Sequence, residues 1–115
     1  IGFRAFSRCR RLKQIALPDS LTEIGTAAFK GCKSLENIVI PESVRVIGHS
    51  AFAYCSGLVS VTLTNSEVRI QSNAFKECDG LKEIRCIGKE ENWKEVINVL
   101  PRYFGFEIRF IKEES

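Results

Sequence analysis

The sequence predicts a solenoid, a chain wound into stacked coils that share one continuous apolar interior. Two observations carry that prediction. The pattern Ile-Gly-x-x-Ala-Phe-x-x-Cys-x-x-Leu-x-x-Ile-x-Leu occurs in four copies at a constant spacing of 23 residues, the best running from Ile24 to Ile40. Its anchors hold their register throughout: Ile1, Ile24, Ile47 and Ile70, then Phe6, Phe29, Phe52 and Phe75, then Cys9, Cys32, Cys55 and Cys78. A fixed period of about 20–50 residues means that each unit buries its apolar face against its neighbours. At 115 residues the chain forms one domain, without room for a separate catalytic module.

Each coil divides into short elements. After Ile24, Thr26 is placed to cap a short helical turn, as is Ser72 two coils on, because a hydroxyl accepts orphan backbone N–H groups. Ala28, Phe29 and Cys32 then face inward, and Gly31 helps to close the turn. The stretch Leu35-x-x-Ile38-x-Ile40 ends in period-two alternation, the pattern of a short strand. Pro41 stops it, as Pro18 does one coil earlier, since proline has no N–H for a ladder. Ser43-Val44-x-x-Ile47 returns the chain to the next anchor. The fourth copy is less regular: Gln71 replaces the glycine, Thr64 replaces the proline, and Val68 stands one place off Val44.

The repeat stops after Cys86, which gives a division into four coils (1–86) and an end segment (87–115). In that segment Trp93, Val96, Ile97 and Leu100 make one helical stripe between Glu90 and Leu100, with Pro101 as its stop. Phe106, Ile108 and Phe110 alternate with Glu107 and Arg109, a strand with one buried face. Helix and strand together form a cap over an otherwise open apolar end, with Trp93 as a core anchor. At the other end Ile1, Phe3 and Phe6 are expected to be exposed unless a further coil covers them. The chain opens at Ile1 in mid-repeat, so the sequence reads as a piece of a longer protein.

Composition narrows the function. No apolar run approaches the roughly 18–20 residues that span a bilayer, so no membrane insertion is expected of this chain. The net charge of +3 is concentrated in Arg4, Arg8, Arg10, Arg11 and Lys13. A nucleic-acid surface would continue that stripe through several coils. Here Arg8 is followed in register by Gly31, Tyr54 and Glu77, and Arg10 by Lys33, Ser56 and Asp79. The cluster therefore reads as a solvated face. Four of the five cysteines share one apolar column, where parallel Cβ vectors disfavour bridging, and Cys86 falls in the core column of Leu17, Ile40 and Leu63. Free, buried thiols are expected, with no metal site and no cofactor.

The repeat motif resembles the BspA-like class of leucine-rich repeats, from Ile1 to about Cys86, and Ile84–Trp93 is similar to that family's usual ending. The resemblance implies a right-handed solenoid with a parallel sheet of short strands on its concave side and short helical turns on its convex side. It also implies a surface or secreted bacterial protein used in adhesion to a host or neighbouring-cell protein. If the strands form the concave sheet, Gln14, Asn37, Ser60 and Glu83 make one outward column, and Ala16, Val39, Thr62 and Arg85 the next. These short, mostly neutral side chains suit a shallow protein contact and form the candidate recognition face. The competing reading is a structural spacer, with recognition elsewhere in the parent; end-to-end contact through the first coil is a further expectation. Catalysis is not expected. The one histidine, His49, shares a column with Thr26 and Ser72, and no Ser-His-Asp or Cys-His set assembles around it.

Overall fold

A computed structural model describes residues 1–100 and 106–111. The chain is a right-handed solenoid of stacked coils with two parallel sheets on its faces. The concave sheet has the order β2-β4-β6-β7, from β2 (Asn37–Ile40), β4 (Ser60–Leu63), β6 (Glu83–Ile87) and β7 (Glu107–Ile111). A second sheet, absent from the expectation above, pairs β1 (Glu23–Ile24), β3 (Val46–Ile47) and β5 (Arg69–Ile70). Its strands contain the anchor isoleucines, so the segment read as a simple return is a ladder of its own. In-register pairing places Ile24 beside Ile47, and Ile47 beside Ile70.

The interior follows the columns of the repeat. Phe29, Phe52, Cys32, Cys55, Leu35, Leu58, Val61 and Ile84 are fully buried. Phe6, Phe29, Phe52 and Phe75 stack as a ladder, with ring centroids 5.2, 5.2 and 5.6 Å apart and planes within 7° of parallel. All five cysteines are free. Each thiol of the column after the first donates to the phenylalanine carbonyl one coil back: Cys32 to Phe6 at 3.0 Å, Cys55 to Phe29 and Cys78 to Phe52 at 3.1 Å. Cysteine suits this column because it is small and apolar yet carries a weak donor.

The convex limbs are successive tight turns. One set of N–H groups bonds three residues back, as Ala28 to Gly25 and Cys32 to Phe29. The alternate set donates sideways to the next coil: Phe6 to Ala28, Phe29 to Ala51 and Phe52 to Ala74, at 2.7–2.8 Å. A continuous helix cannot do this, because all of its N–H groups point along the axis. Left-handed φ at Arg4 and Arg8, Ala27 and Gly31, Ser50 and Tyr54, and Asn73 and Glu77 turns every second N–H outward. The expected capping by Thr26 and Ser72 gives way to lateral bonding, with Ser72 Oγ held by His49 Nδ1 at 2.8 Å.

Close stacking explains the glycine column. A Cβ on Gly48 would stand 2.7 Å from both Gly25 C and Thr26 N, backbone atoms with nowhere to go. Gly48→Ala is therefore expected to lower stability by about 1–3 kcal/mol, the usual result of overpacking. Urea unfolding checks it, and an unchanged midpoint would mean that the coils part freely.

The two ends differ from expectation in instructive ways. In the first coil no strand forms at residues 13–17; one backbone bond, Glu36 N–H to Lys13 C=O at 3.2 Å, joins it to the concave side. Ile15 and Leu17 are only partly buried, as are Phe6, Cys9 and Leu12 of the same coil. A groove of about 460 Å³ opens there, lined by Gln14, Ile15, Ala16, Leu17, Asn37 and Val39 among others. Phe3 is 66% exposed; its column also holds half-buried Thr26 and exposed His49 and Ser72. Ile1 and Phe6 are partly buried against the core, less exposed than expected.

At the far end the single helix expected over 90–100 is a 3₁₀ turn (Glu90–Trp93) followed by α1 (Lys94–Val99). No side chain caps either start, and the break falls at Trp93. That indole is fully buried and donates to Ile87 C=O at 3.2 Å, which anchors the residue at the junction. Val96 and Leu100 are buried beside it. Pro101, the expected helix stop, lies outside the described residues.

Candidate recognition face

Alternation along each concave strand decides which side chains face outward. Ile38, Ile40, Val61, Leu63, Ile84 and Cys86 point into the core at 0–2% exposure. The intervening residues form the two columns named from the sequence. Parallel register places Asn37, Ser60 and Glu83 side by side, and Val39, Thr62 and Arg85 beside them. Gln14 and Ala16 are exposed, but stand across the groove, outside the hydrogen-bonded sheet.

The structure adds two residues that the repeat register did not reveal. β7 pairs with β6 in parallel, which sets Glu107 beside Glu83 and Arg109 beside Arg85. The alternation of Phe106, Ile108 and Phe110 gave the strand and its two faces. It gave no neighbour, because Glu107 lies 24 residues after Glu83, one more than the 23-residue period, so extending the register would set Phe106 beside Glu83 instead.

Electrostatically the face has two halves. At Asn37, Val39, Ser60 and Thr62 it is neutral, and Ser60 Oγ donates to Asn37 Oδ1 at 2.7 Å. Val39 is 57% exposed, an apolar side chain presented from a rigid strand. Toward β7 the face carries paired charge. Arg109 lies 3.1 Å from Glu83 and 3.3 Å from Glu107, and Arg85 stands 4.0 Å from Glu83. Exposed pairs of this kind are worth little to stability. Their mutual neutralisation leaves the face with little net field.

Among the described residues, the thiols of Cys32, Cys55, Cys78 and Cys86 are buried and the one histidine lies on the surface. Burial pushes the Cys55 thiol well above its ordinary value and carries Cys78 and Cys86 up to about 12. Thiols held neutral in this way are poor nucleophiles. His49 and Ser72 form one exposed link between two convex turns, and no ion pair to His49 occurs among the described residues. Among the described residues, no group of three His, Cys, Asp or Glu is placed to hold a metal ion. No helix among them is long and apolar enough to cross a membrane.

This stacking of 23-residue coils around phenylalanine and cysteine ladders defines a leucine-rich repeat protein. The family model described as a BspA type leucine rich repeat region (6 copies) matches residues 1–96, and the chain belongs to that family. Its fold is similar to that of a leucine rich cell surface protein from Faecalibacterium prausnitzii, at 35% identity and a TM-score of 0.76 over 81% of this chain. It is also similar to a leucine rich repeat protein of T. pallidum, at 26% identity and a TM-score of 0.63 over 97% of this chain. The chain spans 24% of the first of these proteins and 57% of the second. No curated protein matches it.

Proposed function

We propose that the chain is a non-catalytic recognition module of a cell-surface or secreted protein, binding a host or neighbouring-cell protein through its concave sheet. The observation that carries this reading is the neutral half of the sheet, where exposed Val39 stands among Asn37, Ser60 and Thr62 on a rigid ladder. Rigid strands present such side chains at little entropic cost, which favours association. The similarity to a protein described as a cell surface protein supports the location. The division at Cys86 belongs to the same proposal: residues 87–115 act as an end cap, a reading supported by the burial of Trp93, Val96 and Leu100.

Size sets the expected strength. Strands about 4.8 Å apart make a narrow face, well below the roughly 800 Å² per partner of a stable interface. The isolated chain should bind at micromolar strength or weaker, with the rest of the recognition surface elsewhere in the parent. The test is the combined variant Asn37→Ala, Val39→Ala, Ser60→Ala and Thr62→Ala, titrated against purified extracellular proteins on a biosensor. Binding that falls more than about tenfold, with an unchanged unfolding midpoint, supports the reading; a truncated contact typically costs this much at an anchor. Binding indifferent to all four changes favours the spacer instead, and nanomolar binding by the isolated chain sinks the size argument.

A further inference from the structure

The corner where each convex turn hands over to the concave side is strongly cationic in the first two coils. A four-residue turn closes there from cysteine to leucine in every coil: Leu12 N–H bonds Cys9 C=O at 3.2 Å, and Leu35 N–H bonds Cys32 C=O at 3.3 Å. The two central residues form the tip of each turn, Arg10 and Arg11 in the first coil and Lys33 and Ser34 in the second. Arg10, Arg11 and Lys33 are exposed. Arg8 joins them from the convex side, its N–H bonded to Lys30 C=O at 2.7 Å. Its Cγ lies 3.4 Å, an ordinary contact distance, from where a Cβ on Gly31 would stand, so the stem of this arginine rests against the second coil. Lys13, bonded through its carbonyl to Glu36 N–H, extends the patch toward the concave side.

Sequence register alone made this cluster a solvated face. The structure adds that these cations have no ionic partners among the described residues. Every ion pair among the described residues lies at the other end, on Glu83, Arg85, Glu107 and Arg109. Glu36 is the carboxylate in the row next to Lys13, and it pairs with none of them.

We propose that this corner is a binding site for a linear sulfated polysaccharide, separate from the concave face. Guanidinium forks match tetrahedral oxyanions with two parallel hydrogen bonds. Coils stacked about as closely as the phenylalanine rings, 5.2 Å, set Lys33 of the second coil beside Arg10 of the first on a rigid edge, and the cationic stretch ends there, at Ser56 and Asp79 of the next two coils. The turn tips carry arginine, lysine and serine, with no apolar anchor for the dry centre of a protein interface. Nor is there a row of free aromatic rings on which bases could stack. Tyr54, the exposed ring nearest this corner along its column, already has Lys30 Nζ at 5.7 Å from its centroid.

The test is calorimetric titration with a heparin-derived dodecasaccharide at about 0.15 M ionic strength, where long-range surface attraction is largely screened. Three proteins are compared: the unaltered chain, Arg10→Gln/Arg11→Gln, and the charge-matched control Arg45→Gln/Arg69→Gln from another face. The expected result is binding that weakens with salt, falls at least about tenfold in the first variant and changes less than about twofold in the control. Circular dichroism confirms that each variant is folded. Absence of binding, equal losses in the two variants, or equal binding of the fully desulfated saccharide overturns the proposal. Tighter binding of a duplex DNA of matched charge overturns it in favour of a nucleic acid.

Discussion

Replacing Phe52 by alanine removes about 3–5 kcal/mol of stability, the range found for large-to-small changes in packed cores. Phe52 is fully buried at the centre of the ring ladder, with Phe29 at 5.2 Å and Phe75 at 5.6 Å and planes within 4° of parallel. A side chain lost here takes away two stacking contacts and leaves a cavity between coils held on both sides by lateral backbone bonds. Those bonds, such as Phe52 N–H to Ala74 C=O at 2.7 Å, resist the collapse that would fill the hole. Phe6→Ala should cost markedly less, because Phe6 is only partly buried and has one ring neighbour. Urea unfolding followed by circular dichroism measures both. A loss below about 1 kcal/mol at Phe52 contradicts the ladder's role, since even simple removal of its area from the core exceeds that. Two separated transitions would show instead that the stack has been cut into independently melting halves, as nearest-neighbour coupling in a solenoid allows.

The contrast between what the repeat revealed and what it hid has a physical basis. Side-chain identity recurs because every coil meets the same neighbours. Phe29, Cys32, Leu35, Ile38 and Ile40 are therefore all assignable to the interior from the repeat alone, and so are the outward columns from Asn37 and Val39. Backbone conformation on the convex limb left no such trace. The left-handed positions hold Arg4, Ala27, Ser50 and Asn73 in one column and Arg8, Gly31, Tyr54 and Glu77 in the other. Of these, Gly31 and Asn73 are residue types that commonly adopt that geometry. Lateral bonding between coils imposes it on the rest, so short helical turns were the natural reading of a limb that is a train of tight turns. The strands β1, β3 and β5 were hidden for a related reason: two residues per coil are too few for an alternation to show. The recognition face was legible where the period holds and not where it ends. Glu107 and Arg109 reach it through a helical detour, and only the pairing of β7 with β6 shows where they stand.

The buried thiols make a second strong prediction, that the fold fails in alkali ahead of most of its side-chain chemistry. Burial raises Cys32 and Cys55, and carries Cys78 and Cys86 from an ordinary 9.0 up to about 12. Below pH 9 the thiols are protonated in both folded and unfolded chains, and their contribution is fully present. Above it the unfolded chain gives up protons that the fold retains, so ionisation draws the equilibrium toward unfolding until the folded thiols titrate as well. Stability should therefore fall between about pH 9 and 12, by up to about 1.4 kcal/mol per pH unit for each such thiol. The urea midpoint measured at half-unit steps checks the slope. Cys86→Val should flatten it by one thiol's share, and that difference cancels other groups that titrate in the same range. An independent check comes from Ellman's reagent at pH 8. Partly buried Cys9 should react quickly, whereas Cys55 and Cys86, at 0% exposure, should wait for urea. Fast labelling of those two in the native chain, or a midpoint flat from pH 9 to 11, would mean that the stacked coils do not keep these thiols buried.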